Sequence, residues 1–152
     1  MTLDTMQNSK HLETSITIDA SAEEVWSAFS DFNNWESWNP FIIESLGHAV
    51  EGTRLKNTML NGDKTMVFKP KIIKVEENKE LIWKGHLIIP GLFDGRHGFR
   101  IEVVNDQKVR FINYEDFSGI LSGIILKKIG KETEINFDKM NQALKKEVES
   151  KR

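Results

Sequence analysis

The sequence predicts an α+β fold: an antiparallel sheet of about seven strands curved around one long C-terminal helix, with two short helices between the first and second strands. Three observations lead there. Residues 119–152 hold the most helix-like run in the chain. Ile120, Leu121, Ile124, Ile125 and Ile129 are continued by Phe137, Met140, Leu144 and Val148 as one stripe, with Lys139, Lys145, Lys146, Glu147 and Glu149 on other faces. The first part of that run, Ile120 to Ile129, is apolar on most of its circumference until Lys127 and Lys128, so it needs cover on more than one side. What precedes it, Phe41 to Phe117, is a succession of strand patterns joined by short turns. A curved sheet supplies the cover; two ordinary helices packed on a flat sheet are the alternative. Gly130, followed by Lys131-Glu132-Thr133, lowers helix propensity midway, and a kink or break is expected there.

The first strand is His11 to Ala20, where Leu12, Ile16 and Ile18 alternate with polar residues. Ser21-Ala22-Glu23-Glu24 fits a capping box with Ser21 as N-cap. The helix that follows buries Ala22, Val25, Trp26 and Phe29 and ends near Asp31. A second short helix is expected from about Asn34 to Trp38, stopped by Pro40, because the residue before a proline disfavours the helical region. Trp26, Trp35, Trp38 and Phe41 either plug one end of the core or line a pocket, and different rings can do each. Strands are then expected over Phe41–Gly47, Gly52–Leu60, Lys64–Glu76, Glu80–Ile89, Arg96–Val104 and Lys108–Phe117. Asn61-Gly62-Asp63 makes a hairpin turn, and Lys64–Glu76 bends or bulges at Pro70. Residues 90–95 form a loop carrying Leu92 and Phe93.

Composition narrows the function classes. The 152 residues allow one domain with a sizeable core, read here as residues 11–152 behind a flexible segment at 1–10. A net charge of −2 gives no electrostatic reason to expect nucleic acid or an anionic membrane as partner. No cysteine is present, which excludes disulfides, thiol catalysis and a cysteine-based zinc site. Residues 1–10 are polar and carry no signal-peptide core, and no apolar run approaches the roughly 20 residues of a membrane span. A cytoplasmic protein without stable membrane insertion is therefore expected. His11 and His48 lack a partner at metal-ligand spacing, residues 91–98 lack a phosphate-loop pattern, and neither metal nor cofactor is expected.

Several stretches together resemble a known family. They are Ala20-Ser21-Ala22-Glu23-Glu24-Val25-Trp26, Asp31-Phe32 through Trp38-Asn39-Pro40-Phe41, Leu81-Ile82-Trp83-Lys84-Gly85, Glu115-Asp116-Phe117-Ser118-Gly119 and Met140-Asn141-Gln142-Ala143-Leu144-Lys145. With the element order, they resemble the START-like, or SRPBCC, superfamily in its polyketide cyclase/dehydrase-like branch, over nearly the whole chain after about residue 10. The resemblance implies the helix-grip fold. It does not imply one activity, because that scaffold hosts carriers, cyclases, hydrolases and regulators.

Strand parity then nominates site residues. Phe99, Ile101 and Val103 share a side with His97; Val109, Phe111 and Phe117 share one with Asn113 and Glu115; Leu81, Trp83, Leu87 and Ile89 share one with Gly85. If these sides form the concave face, His97, Asn113 and Glu115 point into the grip, and His97 can approach Glu115 across a hairpin. Such a pair ties strands together structurally, orients the polar end of a ligand, or serves as acid and base. The expected ligand is a small hydrophobic molecule, a lipid, isoprenoid or polyketide-like aromatic, held between sheet and final helix. Trp83, His97, Phe99, Phe111, Asn113, Glu115, Phe117 and Ile124 are its candidate contacts. A cyclase, dehydratase or hydrolase using the same cavity and a protein-interaction module using the outer face are the alternatives. His86 falls on the opposite parity and reads as solvent-facing, Asp94 and Arg96 as a solvated turn, and Lys64, Lys69, Lys71 and Lys74 as an ordinary solvated face. Ser118 reads as a helix cap.

Overall fold

Alternating burial over His11–Ile18 makes β1, an edge strand with one face on the core. Ser21 then starts α1 (Ala22–Ser30): its Oγ accepts from Glu24 N at 3.2 Å while Glu24 Oε1 accepts from Ser21 N at 3.1 Å. The second helix is a 3₁₀ turn over Phe32–Ser37, two residues earlier than the sequence suggests, anchored by Trp35 Nε1 donating to Phe29 O at 2.8 Å. The remaining elements are β2 (Ile42–Leu46), β3 (Lys56–Asn61), β4 (Lys64–Phe68), β5 (Lys71–Glu76), β6 (Glu80–Leu87), β7 (Phe93–Asn105), β8 (Lys108–Ser118) and α2 (Ser122–Glu149). This computed structural model describes residues 10–87 and 89–152. Apart from Lys10, the expected N-terminal segment lies outside the described residues.

All pairings are antiparallel, in a five-stranded sheet ordered β1-β8-β7-β6-β5 and a three-stranded sheet ordered β2-β3-β4. The count is eight strands rather than seven because the segment Lys64–Glu76 is two strands. Pro70 has no N–H for a ladder, so the chain leaves β4 there and re-enters as β5 in the other sheet. The sheets are stitched where residues 52–55 run against 70–72: Gly52 N donates to Ile72 O, Ile72 N to Thr53 O and Leu55 N to Pro70 O, at 2.8–3.0 Å.

The curved surface grips α2 from one side. Phe137, Met140, Asn141, Leu144 and Val148 are its buried stripe. Two expectations about this helix need correction. It runs unbroken through Gly130, whose environment leaves nothing forcing a kink. Its first turns are also not wrapped: Ile120 is 81% and Ile124 63% exposed. The apolar circumference there faces a cavity on the side of Ile125 and Ile129 and solvent on the other. Ser118 ends β8 and does not cap α2, whose N-cap Leu121 makes no side-chain bond. The helix start is held instead by the connection between β6 and β7: Ile120 N donates to Gly91 O at 3.0 Å and Leu121 N to Leu92 O at 2.9 Å. Gly119 allows this approach, with φ of 107° and a hypothetical Cβ only 2.5 Å from Leu92 O.

The core is aromatic. Phe29, fully buried, lies within 4.8–5.9 Å, ring centre to ring centre, of Trp26, Phe32, Trp35, Phe99 and Phe111. Burying rings of this size supplies a large share of the apolar area removed from water. It closes one end of the grip and leaves the other end open.

Candidate functional site

The register of three central strands assembles the site. Trp83 on β6 sits opposite His97 on β7, which sits opposite Glu115 on β8; two pairs along, and so on the same face, Phe99 sits opposite Asn113. In antiparallel sheets such partners share a face, so these side chains all enter the concave side. His97 is 4% exposed and packed between rings, with centroids 4.3 Å from Phe99, 4.8 Å from Phe137 and 5.4 Å from Trp83.

A hydrogen-bond chain fixes the imidazole. Asn141 on α2 donates from Nδ2 to Thr14 Oγ1 at 2.8 Å and accepts from Asn113 Nδ2 at 3.2 Å. Asn113 therefore turns its oxygen toward His97, and His97 Nε2 donates to it at 2.6 Å. Asn113 and Asn141 thus each have partners for both amide oxygen and nitrogen, as burial requires. With the proton on Nε2, the neutral ring presents a bare lone pair at Nδ1. That lone pair faces Glu115 Oε1 at 3.4 Å, beyond ordinary hydrogen-bond length.

Protonation follows from this arrangement. Burial pulls His97 down to about 4, against the opposing bond to Asn113, so the ring is neutral at physiological pH. Burial pushes Glu115 up to about 8, and the neighbouring Asp116 carboxylate adds to the effect. An ionised Glu115 would also face the imidazole lone pair. The neutral acid is therefore the favoured form at pH 7. Gly95 makes room for it: a Cβ at residue 95 would overlap Glu115 Oε2.

Beside this pair lies a cavity of about 340 Å³. The five-stranded sheet contributes Trp83, Gly85, Phe93, Gly95, His97, Glu115 and Phe117. The small sheet contributes Ile42, Met59, Leu60, Met66 and Phe68, with Phe41 beside it. Helix α2 contributes Ile125, Ile129, Glu132, Thr133, Asn136 and Phe137. The wall is mostly apolar with a few convergent polar groups, the usual make-up of a small-molecule site.

Of the residues nominated from sequence, Trp83, His97, Glu115 and Phe117 line the cavity. Phe99 and Phe111 pack in the aromatic core beneath it, and Asn113 stands behind His97. Ile124 points outward. Trp26 and Trp35 are core residues, while Phe41 is a wall. His86 is exposed, as its parity implies, yet reaches the cavity rim. Sequence reasoning missed the small sheet's methionines and Phe68, because nothing local to β3 and β4 shows which face meets the helix. Its one nominee on the final helix, Ile124, is not in the lining, which on that helix runs from Ile125 to Phe137.

The outer face carries a second depression, of about 350 Å³, lined by Ile73, Lys84, Asp94, Gly95, Arg96, Asp116, Phe117 and Ser118. Lys84, Asp94, Arg96 and Asp116 make half of its lining charged, unlike that of the inner cavity. Among the described residues no three His, Cys, Asp or Glu side chains converge as a metal site. No described helix is long and apolar enough to cross a membrane.

Comparison with known proteins places this geometry. The profile of the polyketide cyclase / dehydrase and lipid transport family matches residues 9–149. No curated protein matched the chain. Among solved structures, the Zhui aromatase/cyclase from a Streptomyces species superposes with a TM-score of 0.74 at 13% identity, over 91% of this chain and 93% of that one. A START superfamily protein from Mycobacterium smegmatis gives 0.73 at 20% identity, over 93% and 99%. A protein from Thermobifida fusca gives 0.66 at 15%, over 91% and 93%. At these identities the likeness is one of fold, and the fold is the helix grip.

Proposed function

The chain belongs to the polyketide cyclase / dehydrase and lipid transport family, and on that premise we propose that it binds a small hydrophobic ligand between sheet and final helix. The observation carrying this is the cavity itself: about 340 Å³ of space walled by apolar and aromatic side chains in an otherwise packed interior. The ligand class is a lipid, an isoprenoid or a polyketide-like aromatic. Trp83, Phe117, Ile129 and Phe137 supply apolar contact, and Glu115 with His97 meets the ligand's polar end. Phe99, Phe111 and Asn113 set the position of these groups from behind. Action in the cytoplasm fits the reading.

Native mass spectrometry of the freshly purified protein, followed by titration of the stripped protein with hydrophobic probes under tryptophan fluorescence, tests the proposal. Trp83 in the wall makes the signal sensitive to occupancy. Saturable binding that Thr133→Trp abolishes, by filling the space, is the expected result. A folded wild-type protein that binds no probe sinks the reading.

A catalytic reading has one observation in its favour, the neutral acid beside a neutral imidazole at the cavity wall. Were the pair an acid and base, Glu115→Gln or His97→Ala would cost about 10²–10⁴ in turnover with binding retained.

A further inference from the structure

The charges around the cavity say what kind of polar group it takes. Among the described residues lining it, the titratable side chains are His86 on β6, His97 on β7, Glu115 on β8 and Glu132 on α2. The small sheet contributes none, and there is no lysine or arginine in the lining. An ionised headgroup brought into this space loses its hydration and meets no counter-charge, and burying an unpaired charge is strongly unfavourable. A carboxylate ligand would further face Glu132.

Glu115 offers the opposite. Its carboxyl lies at the cavity wall, held over Gly95, and among the described residues it makes no hydrogen bond. The 3.4 Å gap to His97 Nδ1 leaves its O–H free to turn toward a ligand. The Asn141–Asn113–His97 chain keeps the imidazole in the tautomer that disfavours an ionised carboxylate next to it.

Resting on the hydrophobic-ligand reading, we propose that the cavity selects apolar molecules with an uncharged oxygen acceptor, an ester, ketone or amide carbonyl. It excludes ionised fatty acids, and the Glu115 carboxylic acid is the selecting donor. Glu115 is in this view a specificity determinant that touches the ligand, and Asn113 and Asn141 are positioning residues.

The test compares probes of one chain length on the stripped wild-type protein near pH 7: dodecane, methyl laurate, undecyl methyl ketone and laurate below its micelle concentration. The ester and ketone should bind about tenfold more tightly than dodecane, the worth of one good hydrogen bond, and laurate no better than dodecane. Glu115→Gln keeps a donor of similar shape and should retain the preference, whereas Glu115→Leu should bind ester, ketone and dodecane alike. Raising the pH from about 6 to about 9 should weaken ketone binding in the wild type, as the donor is lost, and leave Glu115→Gln unchanged. Laurate binding as tightly as methyl laurate would overturn the inference while leaving hydrophobic binding intact. Failure of every probe would instead overturn the reading beneath it. The wild-type comparison decides the matter even if a Glu115 variant does not fold.

Discussion

Replacing Glu115 by glutamine should change how folding stability depends on pH, and the size of the change can be worked from the two buried groups. Glu115 titrates at about 8 in the folded protein against 4.5 in its ordinary state. Between those values the folded protein holds a proton that the unfolded chain has released. Stability therefore falls by about 1.4 kcal/mol per pH unit across that window. His97 works the other way. It titrates at about 4 when folded against 6.5 ordinarily, so between those values the unfolded chain holds the extra proton and stability rises with pH. The slopes cancel where the windows overlap. Of these two buried groups only Glu115 acts above pH 6.5, and it should cost the wild type roughly 2 kcal/mol by pH 8. His11 contributes in the same direction: burial lowers it, but its bonds to Asp116 and Glu13 outweigh burial and leave it raised. Its stabilising effect is present below 6.5 and fades as pH climbs through the raised value. That contribution is shared by both proteins, so the difference between wild type and Glu115→Gln isolates residue 115. Urea unfolding curves between pH 5 and pH 8.5, followed by tryptophan fluorescence, give the comparison. A Glu115→Gln protein that declines above pH 6.5 as steeply as the wild type would refute the claim that Glu115 is a neutral acid in the fold.

Other expectations are simpler to check. Phe29→Ala removes the ring at the centre of the aromatic core and should cost about 3–5 kcal/mol, read from the shift in denaturation midpoint. Ser21→Ala removes the hydroxyl of the capping box and should cost about 1 kcal/mol, with Ser21→Gly costing less; equal losses would mean the side chain is not the cap. Ile124→Ser alters an outward-facing residue and should leave stability within about 0.5 kcal/mol, so a large drop in melting temperature would contradict the exposure described for the start of α2.

The fold was legible because its signals are local and mutually consistent. Ser21 and Glu24 mark a helix start without reference to anything distant, Gly62 marks a tight turn, and the stripe from Phe137 to Val148 has helical period. The pairing of His97 with Glu115 was also within reach, because two strands joined by a short turn have a register that parity nearly determines. What escaped the sequence depends on how elements from different regions meet. Periodicity gave Ile120 to Ile129 an apolar surface but could not say that one side of it would face an unfilled space and the other water. Pro70 announced an interruption, yet only the assembled sheets reveal that the chain changes partners there, from β3 to β6. The tautomer of His97 rests on Asn141, 44 positions later in the chain, and no spacing rule connects them.

The seam between the two sheets has a consequence for kinetics. β2, β3 and β4 form one wall of the cavity; among the described residues their backbone meets the larger sheet where residues 52–55 run against 70–72, and Asn33 of the 3₁₀ turn holds the end of β2 by donating to Gly47 O. An element held to its neighbours by few backbone bonds can open at a free energy below that of global unfolding. The connection between β6 and β7, by contrast, is tied to the helix start through Gly91 and Leu92. On the ligand-binding proposal, passage in and out of the cavity would be a gating event of the small sheet about the Thr53–Leu55 strip, while affinity would be set on the far wall at Glu115. Residence time and selectivity would then reside in different parts of the chain, and substitution at the strip should retune the one without disturbing the other.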